Sequence, residues 1–273
     1  MARNYIYHLV KLNKLGNGSQ LDLCCSVVGY NLKYFLWRPL LVKLLLSHKF
    51  HHKKKLLYTV LVGGYDQLNE IPKKNPGWDY ICFTDNPGAA SNTWEIRLLE
   101  NPLNLDLVRL SRHYKINNHL VDKSYDISVY VDANFQIRGN LDCFLAHTMA
   151  EKNALSMLLH PFHHSLEQEF EACITLGKDN ADILRRQYEF YVNQQGFIDD
   201  HPHVAGGLII RQKRDPRVVR LMEKWFDQLI KWSGRDQVAF NYARSKCSEV
   251  TVNYIPYYIL RRYFKKFDHR KTP

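Results

Sequence analysis

Tyr125-Asp-Ile-Ser-Val-Tyr-Val-Asp-Ala-Asn-Phe-Gln-Ile137 is the stretch on which the reading of this chain turns. Val129 and Val131 are β-branched and Tyr130 is aromatic, which suits a buried, pleated strand. The run breaks at Asp132-Ala133-Asn134, and a second apolar piece follows with Phe135 and Ile137. An acid at the carboxyl end of a central strand stands where open α/β sheets hold ligands. Asp132 and Asn134 are two residues apart, so both side chains reach one point from an extended corner. Oxygen ligands of this kind suit a hard divalent cation. An Asx turn between two strands accounts for the same three residues, so the decision falls to the flanking chain.

Leu56 to Val62 is a continuous apolar run that ends in Gly63-Gly64-Tyr65-Asp66. This reads as a buried strand and a glycine turn that lets the backbone approach a ligand. Neither a P-loop nor a dinucleotide fingerprint follows it. Trp78 to Phe83 reads as a second strand, ending at Thr84 and Asp85, and Trp94 to Leu98 as an edge strand. Residues 106–122 carry Leu107, Leu110, Tyr114 and Val121 at helical spacing. The opposite face offers Arg109, Arg112, His113 and Lys115, either a phosphate-facing surface or a solvated basic one. Ala154 to Leu159 is a further strand, ending in His160-Pro161-Phe162-His163-His164, with Glu167 and Glu171 on the next helix. Three histidines beside acids raise zinc, but the spacing is not H-E-x-x-H and argues against it.

Residues 179–195 read as an amphipathic helix closed by Gly196. His203 to Ile210 reads as a strand entered through Gly206 and Gly207, where side chains would obstruct a ligand. A long core helix starts at Pro216. Another opens at Ser233-Gly-Arg-Asp-Gln237, where Asp236 and Gln237 either complement the helix dipole or face a substrate. Polar residues thus recur at strand carboxyl ends, as in the ligand cleft of an α/β sheet.

The net charge of +11 is unevenly placed. Residues 1–55 hold ten Lys/Arg against Asp22, and residues 251–273 hold six against Asp268. The middle keeps 22 of the 38 bases and 25 of the 27 acids, so the body is near neutral. Nucleic-acid binding is therefore not expected, because such a protein concentrates charge on the face that holds its site. Basic ends suit an anionic membrane surface. Residues 34–46 are apolar but too short to span a bilayer, and Arg38, Pro39 and Lys43 interrupt them. They fit either a membrane interface or a helix packed on the body. Cys24, Cys25, Cys82, Cys143, Cys173 and Cys247 show no C-x-x-C spacing and read as small core residues in a reducing compartment. With no secretory h-region in view, the expected location is cytoplasmic, on the peripheral side of a membrane.

An ordered set of motifs carries a resemblance: Tyr58-Thr-Val-Leu-Val-Gly-Gly-Tyr-Asp66, Tyr80-Ile-Cys-Phe-Thr-Asp85, Arg112-His-Tyr-Lys-Ile116, Tyr130-Val-Asp-Ala-Asn-Phe135, His160-Pro161, Gly206-Gly-Leu-Ile-Ile-Arg211 and Gly234-Arg-Asp-Gln237. Over residues 56–245 the chain resembles the glycosyltransferase-like domain first named from plant mucilage and turgor-regulation proteins. More broadly it is similar to GT-A nucleotide-sugar transferases, including the glycogenin-like group. The resemblance implies an α/β fold: a GT-A-like single domain with a mostly parallel mixed sheet flanked by helices. It also implies a nucleotide-diphosphate-sugar donor, a glycan or lipid-linked acceptor, and Mn²⁺ or Mg²⁺. By the same resemblance Val62, Gly63, Gly64, Tyr65, Thr84 and Asp85 hold the nucleoside, and Arg112 and Lys115 face the diphosphate. Asp132, Ala133 and Asn134 form the metal corner, where the fold has Asp-x-Asp. His160 lines the donor site, and Gly206 and Gly207 leave room for the sugar. Arg235, Asp236 and Gln237 are the implied catalytic group, with Asp236 and Gln237 on sugar or acceptor hydroxyls. A late histidine completes the metal shell, with His269 the positional candidate and His160 and His203 its competitors. Asn134 in place of an acid leaves a non-catalytic nucleotide- or glycan-binding domain as the rival.

The expected organisation is a basic leucine-rich extension over residues 1–55, the catalytic-type domain over 56–250, and a basic aromatic tail over 251–273. Deleting residues 1–55 is expected to abolish binding to anionic vesicles in a sedimentation assay; undiminished binding would remove the membrane role from this segment.

Overall fold

The computed structural model describes residues 50–117, 124–149, 153–212 and 215–268. The lead-in through residue 49, with the 34–46 segment, and His269 lie outside them. The strands are β1 (Lys55–Leu61), β2 (Trp78–Thr84), β3 (Glu95–Leu98), β4 (Ile127–Val131), β5 (Phe135–Ile137), β6 (Leu155–Leu159), β7 (Val204–Gln212), β8 (Val252–Ile255) and β9 (Phe264–Lys266). The helices are α1 (Leu107–Ile116), α2 (Leu141–Thr148), α3 (Leu166–Thr175), α4 (Ala181–Glu189), α5 (Pro216–Lys231), α6 (Gln237–Ser245) and α7 (Tyr257–Tyr263), with a π-helical turn, Phe190–Gln194, continuing α4. Side chains of Asp106, Asn140, Ser165, Asn180 and Asp215 accept main-chain N–H groups at the starts of α1 to α5. These are the oxygen-bearing residues that favour a helix start. Among the described residues no helix is long and apolar enough to cross a membrane.

Seven strands form one sheet in the order β3-β2-β1-β4-β7-β6-β8. The β1–β2, β2–β3, β1–β4 and β6–β8 pairs are parallel, while β7 runs against both β4 and β6. This is the mostly parallel mixed sheet expected of a GT-A-like domain. The direction of β7 revises one expectation. Gly206 and Gly207 lie near the amino end of their strand, yet the reversal brings them to the sheet edge where β1, β2 and β4 end. The register with β6 also breaks there: Met157 faces Ile209 while Leu158 faces Ala205. Residues 206–208 are accommodated as a bulge, which bends the strand beside the corner that follows β4.

Alternation along the strands divides the core in two. Leu56, Tyr58 and Val60 of β1 join Phe83, Tyr130, Met157 and Ile209 under α1, α5 and α6, whose Leu110, Trp225 and Phe240 complete that face. Leu57 of β1 joins Tyr80, Val129, Leu158 and Ile210 on the other face, covered by Phe144 of α2 and Leu260 of α7. A smaller cluster of Phe170, Cys173, Leu184, Tyr191 and Tyr242 holds α3 and α4 to α6. Both sheet faces are thus buried, as a parallel sheet requires.

The segment read as a tail is built into the fold. β8 adds an edge strand beside β6, and β9 pairs antiparallel with β5 in a two-stranded sheet. Phe135 faces Lys266 in that pair, and Ile137 faces Phe264. A Cβ at Gly139 would lie 2.6 Å from the Tyr263 ring and 3.2 Å from its Cα, so the close approach of α7 depends on that glycine.

The cationic face of α1 is neither solvated nor uniform. Arg109 donates to the carbonyls of Leu229 at 2.7 Å and Trp232 at 2.6 Å, tying α1 to the end of α5. His113 packs edge-on against Phe226 at 5.1 Å. At the far end of α1, buried Arg211 of β7 donates to the carbonyls of Lys115 and Ile116 and to the Tyr58 hydroxyl, which itself donates to the Lys115 carbonyl. A cation there satisfies carbonyls the helix leaves open and complements its dipole. Arg211→Met keeps most of the volume but strips these acceptors of their donor. It is expected to lower the unfolding free energy by about 2–4 kcal/mol in urea titrations, against about 1 kcal/mol for Tyr58→Phe.

Candidate functional site

The chain leaves β1 through two glycines in the left-handed region, Gly63 at φ 62° and Gly64 at φ 65°. Such conformations favour glycine. Asp85, just past β2, accepts the Gly63 N–H at 3.0 Å, so the ends of two neighbouring strands are stitched together. Tyr65 stands 61% exposed after this turn. Thr84 is buried, and its hydroxyl accepts the Asn86 N–H at 3.2 Å. Val62 is half-buried. These residues border the crevice where the strand order reverses, between β1 and β4, the switch point at which open α/β sheets bind ligands.

Asp132 ends β4 at the same edge. Its Oδ1 accepts the Tyr130 hydroxyl at 2.8 Å, and its N–H donates to the Gly207 carbonyl at 3.1 Å. A Cβ at Gly207 would come within 2.9 Å of Asp132 Oδ2. A Cβ at Gly206 would meet both Asp236 Oδ2 and Lys115 Nζ at 2.6 Å. The double glycine therefore admits the protein's own carboxylates, and this close approach is what its small size serves here.

Asp236 is the centre of that contact. It is 2% exposed, bonded to Lys115 Nζ, and 3.5 Å from Arg112 Nε. Its side chain makes no cap bond to α6, so the dipole account does not describe it. Its carbonyl instead accepts the Trp225 indole N–H at 2.8 Å. Burial alone would raise the Asp236 carboxyl, but Arg112, Lys115 and Arg235 hold it well below the usual carboxylate range. Burial pulls the Lys115 ammonium down, with Asp236 and Asp132 opposing. Burial and then Asp132 push the Tyr130 phenol well up. Arg112, Lys115, Asp132 and Asp236 thus form a cluster of two cations and two carboxylates. Arg112 keeps 22% side-chain exposure and Lys115 only 4%, so Arg112 is the cation that reaches outward. Arg235 and Gln237 flank Asp236 and are half-buried.

Asn134 is 2% exposed. Its Nδ2 donates to the Phe267 carbonyl at 2.9 Å, and its main-chain carbonyl accepts the Phe267 N–H at 2.9 Å. The second polar residue of the corner therefore clasps the segment after β9, with Ala133 buried between it and Asp132. Phe267 stands two residues before His269.

His160 falls into a separate group with His163, His203 and Glu169. Glu169 lies on the apolar stripe of α3 beside Leu166, Phe170 and Cys173, while Glu167 and Glu171 face solvent. Burial alone would raise the Glu169 carboxyl, but the His203 and His163 rings that face it bring it to about 2. Burial pulls the His160 imidazole down to about 4. Sequence reasoning passed over Glu169. The available signal was a lone acid at the buried positions of an amphipathic helix, which requires a partner inside. Tyr130 and Arg211 were also missed as residues that position the site, because each looks like ordinary strand content.

A carboxyl held below its ordinary range adds stability above that range, and the contribution fades as pH falls through it. Asp236→Asn is expected to cost about 3–5 kcal/mol at pH 7, because two buried cations lose their counter-charge. The gap to wild type should shrink below pH ~4 in urea titrations; a pH-independent gap would contradict the ion-pair account. None of the curated proteins matches the chain. The match to a family begins at Phe83 in β2, so the Gly63-Gly64 turn precedes it. The model of the TOD1/MUCI70 glycosyltransferase-like domain covers residues 83–269 of this sequence, well over half of it, and the chain belongs to that family.

Proposed function

We propose that this protein transfers a sugar from a nucleotide-diphosphate donor of the UDP-sugar type to a surface-polysaccharide or lipid-linked glycan acceptor, with a divalent cation assisting. The observation that carries this reading is the cluster of cations and carboxylates at the β1–β4 switch point. Arg112, Lys115 and Arg235 stand there against Asp236 and Asp132, with one cation in excess. A metal–diphosphate complex, which carries both signs and adds little net charge, finds partners there for both of its parts.

Oxygen donors at the corner fit Mn²⁺ or Mg²⁺. Asp132 would hold the ion, with Asn134 and His269 as the other members of the set. Phe267, which precedes His269 by two residues in the sequence, is fastened to Asn134. When bound, such an ion would supply positive charge against that on the diphosphate leaving group. The remaining roles belong to the chain. Gly63 and Gly64 admit the nucleotide backbone-on, Asp85 fixes that turn, and Tyr65 offers an exposed ring. Arg112 reaches the diphosphate, and Lys115 positions Asp236 behind it. Arg235 and Gln237 face the sugar and acceptor side. The basic ends of the sequence suit work at the cytoplasmic surface of a membrane.

The burial of Asn134, with its amide nitrogen given to Phe267, favours a second reading, a domain that binds nucleotide or glycan without turnover. Calorimetry with UDP, with and without Mn²⁺, followed by a donor-hydrolysis assay, separates the two. Asp132→Ala is expected to reduce metal-dependent transfer from a panel of UDP-sugars by at least about 10²-fold. Undiminished transfer by that variant would remove the corner from the mechanism.

A further inference from the structure

Four side chains converge beside the loop that follows β6. Glu169 Oε2 contacts His163 Nδ1 and lies 3.7 Å from His203 Nε2 and 3.8 Å from His160 Nε2. Glu169 is 1% exposed and His203 is 2% exposed. Neither ring nitrogen of His203 has a hydrogen-bond partner, although the ring is aimed at the carboxylate. His160, His163 and Glu169 can each offer a ligand atom within 4.8 Å of the others. A buried carboxylate calls for positive partners, and a buried ring whose two nitrogens lack hydrogen-bond partners is costly. A divalent cation answers both.

We infer that His163, His203 and Glu169 bind a zinc-type transition-metal ion, at a site separate from the Asp132 corner. The roles of the three histidines follow from their other contacts. His160 Nδ1 accepts main-chain N–H groups from His163 at 2.7 Å and Phe162 at 3.3 Å. A neutral His160 then carries its proton on Nε2, 3.8 Å from Glu169 Oε2, and does not ligate. His163 Nδ1 and His203 Nε2 remain as nitrogen ligands with Glu169 Oε2, and the fourth position stays open, as in three-ligand zinc sites. Ligand atoms around zinc stand roughly 3.3 Å apart for bonds near 2.0–2.1 Å, so the His163–Glu169 contact must open, from 2.5 Å, while the 3.7 Å His203–Glu169 spacing closes slightly. His160 and the Cys173 thiol, which donates to Glu169 Oε1 at 3.5 Å, are the outer partners that orient the carboxylate. Imidazole-rich donors favour zinc and its neighbours over Mg²⁺ or Mn²⁺, so the two sites differ in metal preference. The sequence spacing hid this set because Glu169 and His203 are 34 residues apart and meet only in the folded chain.

The inference does not depend on glycosyl transfer, and its test is spectroscopic. The untagged full chain, stripped with a chelator, is titrated with Co²⁺ as a visible substitute for zinc and then with Zn²⁺ in competition. One equivalent of Co²⁺ with a d–d band in the visible, displaced by Zn²⁺, is expected. His203→Ala and Glu169→Gln should each weaken Co²⁺ binding more than about 100-fold, beyond the ~10–100-fold typical of an outer partner such as His160. Asp132→Ala should leave the band intact. Absence of a stoichiometric band in the unaltered chain overturns the inference, so it remains testable if a variant fails to fold. A band that survives both His203→Ala and Glu169→Gln also overturns it and points to surface histidines such as His51 and His52. A band lost in Asp132→Ala overturns it by moving the ion to the corner.

Discussion

The Asp236–Lys115 ion pair, seated on Gly206, is the constraint around which this fold is arranged. It joins the start of α6 to the end of α1 across 121 residues of sequence, and it is buried. A buried pair adds less stability than its Coulomb attraction suggests, because both charges leave water. Its effect is positional. α1 cannot shift along the sheet without separating the pair, and Arg211 fixes the same helix from its other side through the Lys115 and Ile116 carbonyls. The bulge in β7 supplies the space, and Arg112 is thereby held half-open at the crevice. Catalytic-type sites work when the charged groups are set before the ligand arrives, since little reorganisation remains to be done.

This arrangement separates the residues that line the crevice from those that hold it. Arg112, Asp132, Tyr65 and the Gly63-Gly64 turn meet the open side. Lys115, Asp236, Tyr130, Tyr58 and Arg211 stand behind them, buried and tied in by hydrogen bonds. Membership in a glycosyltransferase-like family fits this two-layer organisation. The histidine–glutamate group lies beyond it, near Arg235, which stands close to the Cys173 thiol and also helps hold Asp236 in its charged form.

Much of the fold was legible because it is local. Continuous apolar runs marked β1, β2, β4 and β6 to within a residue or two, and Asp215-Pro216 announced α5. The corner at Asp132 was legible as the end of a central strand. What was not legible depends on contacts between distant segments. Nothing in His203 to Ile210 states that β7 runs antiparallel. The double glycine therefore read as space for a ligand, when its neighbours are Asp132 and Asp236. Asp236 resembled a helix-start acid until Lys115 and Arg112 were placed against it. The basic face of α1 offered two readings, and neither foresaw that its four cations and rings would be spent on an α5 terminus, a buried carboxylate and an aromatic contact. Composition also misjudged residues 252–266, whose bases lie on the outer side of elements that are otherwise core.

The clasp between Phe267 and Asn134 has a consequence for biosynthesis. The corner and its fastening are 133 residues apart. At about 5–20 residues per second, the ribosome needs roughly 7–27 s to travel between them. During that interval β4 and the Asp132 corner are already made, yet β5 waits without the strand that pairs with it. Its exposed edge is a place where nascent chains can pair wrongly. A chaperone that shields residues 135–137 until β9 emerges would serve this protein better than one that acts on its finished surface.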